Sequence, residues 1–301
     1  MSGDTTRRLR SVHFVPGGND RFFEKGLASD ADTLVLDLED SVPRDRKPGA
    51  RDAVGEWLAG ASNARQELMV RVNALDTEWC ADDVAAMVAA GARSLMVPKV
   101  SGCAELDELE RIVNATDHHS PITFFPVATE TAAAVFALRE IAAHSRVDGV
   151  CWGAEDLSAE LGAASARDAD GRLLDVFAHV RTWCLLGAAA GGVPAIDAVW
   201  TDLTDLDGLR REAEAGAAMG FDGKITIHPA QIEIVNDVFT PSTEEVDRAR
   251  ALVAAFEEHA AEGRSSFRFD GVMVDAPHLA RARRLLGRAG ATDPTAPTHP
   301  D

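Results

Sequence analysis

Short apolar runs alternate with amphipathic, alanine-rich stretches from residue 11 to about residue 240. The runs at Ser11–Val15, Thr33–Leu38, Glu67–Val72, Ser94–Val97, Ile122–Val127, Gly149–Trp152, Val193–Ile196 and Lys224–Ile227 are rich in Val, Ile, Leu and Phe and have the length of strands. The stretches at Asp20–Ala28, Pro48–Ala59, Thr77–Ala90, Ala104–Ala115, Thr131–His144, Leu173–Ala190 and Leu206–Met219 place apolar residues at helical spacing. Gly91, Gly191 and Gly220 stop helices just before the next strand. Near-continuous apolar strands separated by helices are buried parallel strands, and eight of them in a chain of this length predict a (β/α)8 TIM barrel.

The texture changes after the eighth strand. Pro241–Gly263 predicts a further helix, then a short extended segment and a basic final helix, so residues 8–240 form the expected catalytic barrel and 241–290 a helical lid extension. That extension either covers the end of its own barrel or packs on a neighbouring subunit. Residues 291–301, ATDPTAPTHPD, have the Pro/Thr-rich composition of a disordered tail.

Charge narrows the partners. A net charge of −19 and a pI near 4.8 disfavour nucleic acid and anionic membrane, while leaving room for a small anion held by local arginines. The four cysteines lack zinc or disulfide spacing, the amino terminus has no apolar h-region, and no run reaches the roughly 18 apolar residues of a membrane span. A soluble, cytoplasmic protein is expected.

In barrels the carboxyl ends of the strands carry the chemistry. TLVLDLEDSV runs from a buried strand into Asp37, Glu39 and Asp40; the other strands deliver Arg71, Lys99, Glu130, Asp156 and Asp197 to the same rim. Glu130 and Asp156 follow successive strands, and two carboxylates with open positions beside them suit Mg²⁺, with Asp37, Glu39 and Asp40 as holders of its waters. Helix capping by Glu130 and Asp156 is the competing reading. Arg71 suits bidentate grip of a substrate carboxylate, or an ion pair with Glu39 or Asp40. Arg21 and Lys25, at i and i+4 after the PGGND loop, form either a phosphate-binding pair or a solvated one; PGGND itself carries no nucleotide fingerprint.

RSVHFVPGGNDRFFEK, TLVLDLEDSVPRDRKPGAR, VRVN, TETAAAV, GAEDLSAELG, AIDAVWTDLTDLDGL, GFDGKITIHPAQI and GVMVDAPH, in this order over residues 8 to 287, together resemble the citrate lyase β-subunit-like family of the HpcH/HpaI aldolase superfamily, which includes malyl-CoA and citramalyl-CoA lyases. The resemblance implies Glu130 and Asp156 as ligands of Mg²⁺, or of Mn²⁺ in its place, and Arg71 as the clamp on the keto-acid carboxylate. It implies Glu39 and Asp40 as outer partners of the metal and its waters, and Phe14, Arg21, Lys25 and the Asp197 loop as contacts of the CoA thioester. Asp275, in MVDAPH, matches a lid aspartate that enters a neighbouring subunit's site as acid/base, which implies a homotrimer or hexamer. Ala128 and Thr129 stand where many relatives continue an apolar strand, and are expected to border the acyl space. The implied activity is Mg²⁺-dependent cleavage or formation of a 3-hydroxy-3-carboxyacyl-CoA such as malyl-CoA or citramalyl-CoA, with acetyl-CoA and the small keto acids glyoxylate or pyruvate as the other partners. A thioesterase on the same site and a carrier-protein-dependent citrate lyase β subunit are the alternatives.

Overall fold

A computed structural model describes residues 7–116 and 120–290; the expected tail at 291–301 lies outside them. Eight parallel strands form one sheet in the order β5-β4-β3-β2-β1-β8-β7-β6. They are β1 (Ser11–Pro16), β2 (Thr33–Asp37), β3 (Glu67–Arg71), β4 (Ser94–Val97), β5 (Thr123–Pro126), β6 (Val150–Cys151), β7 (Ala195–Asp197) and β8 (Gly223–Thr226). Parallel bridges Phe124–Val147 and Val127–Cys151 join the two edges, so the sheet closes into a (β/α)8 barrel.

The first helices are α1 (Asp20–Leu27), α2 (Lys47–Gly60), α3 (Cys80–Ala89) and α4 (Cys103–Ala115). The stretch read as one helix over 131–144 is two short ones, α5 (Ala132–Phe136) and α6 (Leu138–Ala142), parted at Ala137, where ψ opens to 8°. Neither glycine nor proline marks that break. An additional α7 (Glu155–Leu161) precedes α8 (Asp175–Gly191), and α9 (Leu206–Met219) is followed by α10 (Pro229–Phe239), which was not expected although Ile232, Val235 and Phe239 bury its inner stripe.

Strand parity sorts the core. Val12, Val35, Met69, Met96, Phe125, Cys151, Ile196 and Ile225 fill the barrel interior. Their neighbours Leu34, Leu36, Val70, Leu95, Phe124, Val150 and Ala195 pack outward in the larger cluster beneath the helices. In this phase Asp37 and Arg71, paired residue to residue across β2 and β3, share the inward face with Val35 and Met69.

The chain divides into two compact units, Leu9–Phe239 and the described parts of Met1–Arg8 with Thr240–Asp301. The second holds α11 (Thr243–Ala261), the hairpin β9 (Phe267–Phe269) and β10 (Val272–Val274), and α12 (Ala276–Arg288). Ser242 and Glu245 close a capping box at the start of α11. Asp270 and Gly271, both at positive φ, make the two-residue turn of the hairpin, whose twist favours that pairing. Ala249, Val253, Ala282 and Leu286 pack the two helices together.

Candidate active site

The rim begins at β1. Gly17 donates its N–H to the Asp37 carbonyl over 2.8 Å, and a Cβ there would stand 2.6 Å from the same oxygen. Only glycine permits this approach, which fixes the loop against β2. Lys47 and Asn73 then secure the following turn: the Lys47 ammonium donates to the carbonyls of Leu38 and Glu39, both at 2.9 Å, and Asn73 Nδ2 donates to Leu38 O at 2.9 Å. Lys47 sits in the run RDRK, which reads as a solvated basic stretch, and nothing short of the folded turn distinguishes it.

Arg71 is braced rather than free. Its Nε and Nη2 donate to the two oxygens of Asp37 at 2.7 and 2.8 Å, and its guanidinium carbon lies 4.8 Å from the centre of the Phe14 ring. Asp37 also accepts the backbone N–H groups of Glu39 and Ser41. Burial pushes the Asp37 carboxyl up, but the Arg71 charge beside it prevails and holds it below the usual range. Both Asp37 oxygens are thereby engaged, so it serves Arg71 and the loop rather than the waters of a metal. Arg71 Nη1 lies 2.8 Å from Glu39 Oε2 without the alignment of a hydrogen bond, and Oε2 is a buried oxygen with no hydrogen-bond partner. Three of the five guanidinium N–H groups are thus in no hydrogen bond with described residues, those on Nη1 lying beside Glu39.

Lys99 joins the remaining acids. Its backbone N–H donates to Glu130 Oε2 at 2.6 Å, and its ammonium touches Glu39 and lies 3.6 Å from Asp40 and 3.5 Å from Asp156. This double reach needs φ of 55°, a left-handed backbone costing about 1–3 kcal/mol in a non-glycine residue. Burial, with the charges of Glu39 and Asp156 added, pushes the Glu130 carboxyl up to about 8; burial also raises Glu39. Glu130 does not cap the next helix, since Thr131 does so by accepting from Ala134 N at 3.1 Å. Asp156 lies in the first turn of α7. Glu130, Asp156, Lys99, Thr131 and Ser101 share a cavity of about 300 Å³.

Ala128 and Thr129 do not border that space. Both are fully buried, and Thr129 Oγ1 accepts from Gly153 N at 3.0 Å, which pins the tip of β5 to that of β6. Arg21 and Lys25 are exposed on α1 and make no hydrogen bond or ion pair with described residues.

Asp197 is a correction. It lies in phase with outward-packed Ala195, not with Ile196, and is 0% exposed beneath the helices. Trp152 Nε1 donates to it at 2.7 Å, Arg181 at 3.0 and 2.7 Å, and Lys224 at 3.3 Å; Lys224 in turn donates to Glu212 at 2.9 Å. Every lone pair is spent inside the fold, so its carboxylate cannot contact CoA.

Asp275 belongs to the second unit, at the head of α12. It is 54% exposed, and its Oδ1 lies 2.6 Å from His278 Nδ1, a partner the sequence did not suggest.

The donors on the rim fit a hard dication. They are carboxylate oxygens, one of which is buried without a hydrogen bond, and Glu130 is held near neutrality by burial and like charge that a metal would relieve. A second trio, Asp107, Glu110 and His144, lies away from the rim. There Arg146 already neutralises Glu110 at 2.7 Å.

A (β/α)8 barrel whose rim gathers a braced arginine and four carboxylates has the layout of a metal-assisted enzyme acting on a carboxylate-bearing substrate. The chain belongs to the HpcH/HpaI aldolase/citrate lyase family, whose model matches residues 10–229. It is 39% identical over 283 residues to a (3S)-malyl-CoA thioesterase of Cereibacter sphaeroides, covering 94% of this chain and 95% of that one. It is 39% identical over 277 residues to a citrate lyase subunit beta-like protein of Mycobacterium tuberculosis, covering 92% and 94%. The crystal structure of CitE from Mycobacterium tuberculosis in complex with magnesium, acetoacetate and coenzyme A superposes with a TM-score of 0.76 at 37% identity, over 94% of this chain and 98% of that one.

Proposed function

We propose that this chain is a Mg²⁺-dependent carbon–carbon lyase that cleaves, or in reverse forms, a 3-hydroxy-3-carboxyacyl-CoA such as malyl-CoA or citramalyl-CoA, giving acetyl-CoA and glyoxylate or pyruvate. The observation that carries the reading is Arg71: held by Asp37 at 2.7 and 2.8 Å with N–H groups to spare, on the rim that also bears Glu130 and Asp156. The magnesium, acetoacetate and coenzyme A held by the Mycobacterium tuberculosis protein support it.

Glu130 and Asp156 are the proposed ligands of the metal, with Glu39 and Asp40 orienting its waters. When bound, Mg²⁺ supplies the positive charge that lowers the pKa of a coordinated substrate hydroxyl. Arg71 fixes the adjacent carboxylate in a plane set by Asp37, so the bond to be broken is oriented before reaction. Asp275, brought from a neighbouring subunit, takes the hydroxyl proton. The C2–C3 bond of the acyl chain then breaks, its electron pair passing to the thioester as the enolate of acetyl-CoA, while the hydroxyl carbon becomes the carbonyl of the keto acid. The proton taken by Asp275 then returns to the enolate carbon, which completes acetyl-CoA and restores the carboxylate. Exposed Arg21 and Lys25, with Phe14, are the proposed contacts of the CoA portion, and we infer a homotrimer or hexamer in the cytoplasm.

The name of the Cereibacter sphaeroides relative favours a second reading, hydrolysis of the thioester by water at the same site. Relatives named citrate lyase subunit beta, from Leuconostoc mesenteroides at 36% identity and Escherichia coli at 37%, favour a carrier-protein substrate instead. Mass spectrometry of the products formed from malyl-CoA and citramalyl-CoA with Mg²⁺ separates these. The lyase yields acetyl-CoA with equimolar keto acid. Free CoA with intact hydroxy acid replaces it by the thioesterase, and turnover only of an acyl carrier protein replaces it by the carrier-dependent subunit.

A further inference from the structure

Lys99 is tied to the rim acids by both its backbone and its side chain, and the reaction above does not use it. Its backbone is tied to Glu130 by the 2.6 Å hydrogen bond, yet its ammonium stands among Glu39, Asp40 and Asp156 at the end of a four-carbon stem. The side chain is 32% exposed, so it has a way out to solvent that Arg71, at 12%, lacks.

We propose that Lys99 is an internal counter-cation, whose ammonium holds the place between the rim acids when no metal is bound and yields it when a divalent ion arrives. This rests on the reading of Glu130 and Asp156 as the metal ligands.

Three observations converge on it. The acids need a cation: Arg71, 2.8 Å from one oxygen of buried Glu39, gives its hydrogen bonds to Asp37, and Asp40 and Asp156 have Lys99 as their ion-pair partner among the described residues. The acids also converge on a single ammonium. The Lys99 ammonium, touching Glu39 and 3.6 and 3.5 Å from Asp40 and Asp156, is the cation they share. Finally, tether and charge are independent. The Glu130 bond comes from the Lys99 backbone, so the side chain can swing out without releasing that carboxylate.

A lysine that merely oriented Glu39 for the metal would have the opposite effect on removal, which makes the two roles separable. Mn²⁺ binding, followed from the electron paramagnetic resonance of the free ion, is compared in the full-length wild type, Lys99→Met, Lys99→Arg and Glu130→Gln, with thermal midpoints taken with and without Mg²⁺. Methionine keeps the stem and the left-handed backbone while removing the charge. Lys99→Met should bind Mn²⁺ about tenfold or more tightly than wild type, since one close like charge is gone. Its midpoint should fall without metal and return to the wild-type value with saturating Mg²⁺. Unchanged or weaker binding, or an equal loss of midpoint with and without Mg²⁺, overturns the inference. Lys99→Arg carries the test alone if the methionine variant does not fold: a planar, multiply bonded cation should weaken Mn²⁺ binding, and equal or tighter binding overturns it. If wild type fails to bind Mn²⁺, or Glu130→Gln binds it as well as wild type, the metal reading itself falls and takes this inference with it.

Discussion

The backbone N–H of Lys99 donates to the carboxylate of Glu130 over 2.6 Å, and among the described residues it is the one hydrogen bond supporting an acid that burial has pushed up to about 8. With Glu130 as the proposed ligand, metal binding should displace a proton at neutral pH. Mn²⁺ or Mg²⁺ affinity should rise with pH up to about 8 and level off above it, with proton release on binding below that point; the sign follows because only the ionised carboxylate is a ligand. Isothermal titration in buffers of differing ionisation enthalpy measures both. Affinity independent of pH between 6 and 8 contradicts the assignment of Glu130.

Arg71→Lys removes the planar fork but keeps the charge. We expect kcat/KM for the acyl-CoA substrate to fall by about 10- to 100-fold, since a bidentate clamp becomes a point contact. Arg71→Ala should in addition cost about 3–5 kcal/mol of stability by stranding buried Asp37. Steady-state kinetics and chemical denaturation separate the two effects, and unaltered kinetics in Arg71→Lys would return the residue to a purely structural role.

Asp197 makes the contrasting case. Asp197→Asn should lower stability by about 3–5 kcal/mol by taking from buried Arg181 its ion pair and leaving Lys224 to Glu212, and leave the KM for the CoA substrate unchanged. Burial raises this carboxyl, but Lys224 and Arg181 prevail and hold it below its ordinary value. Its contribution is therefore present above the unfolded carboxylate pKa of about 4 and lost as pH falls through the lower folded value. The acid limb of the wild-type stability profile should be blunted in the variant.

These two residues also mark how far the sequence could be read. Apolar runs and helical spacing located all eight strands, because buried parallel strands carry their signal in composition. Position at a strand's carboxyl end brought Arg71 and Asp197 forward alike, but parity separates them: Arg71 is in phase with inward Met69, Asp197 with outward Ala195. That distinction was available in the alternation along each strand. The union of Lys99 with Glu39 and Asp156 was not, since it depends on a left-handed backbone at a lysine. Nor was the interruption at Ala137, which no breaking residue announces. The hairpin turn is legible in the Asp270-Gly271 dipeptide, a signal finer than the extended segment that the composition around it predicts.

Arg21 and Lys25 make no hydrogen bond or ion pair with described residues that their removal would cost. The double change to alanine should leave the thermal midpoint unchanged while raising KM for the CoA thioester about tenfold at low salt, with a smaller difference at high salt as screening shortens their reach. Kinetics across an ionic-strength series checks this; identical KM values would remove the pair from CoA recognition.

Asp275→Asn should retain CoA binding and lose turnover. Mixed with inactive Arg71→Ala and reassembled, it should regain part of the activity, because some sites then combine an intact Arg71 with an intact Asp275. Native mass spectrometry verifies exchange of subunits, and no recovery after verified exchange counts against a shared site.

The most direct test of the whole account follows acetyl-CoA formation from malyl-CoA and citramalyl-CoA by the wild type and Asp156→Ala, first in EDTA and then with Mg²⁺ restored. The account predicts no product in EDTA, full recovery of the wild type with Mg²⁺ and none of the variant. Acetyl-CoA forming at an undiminished rate in EDTA would contradict it.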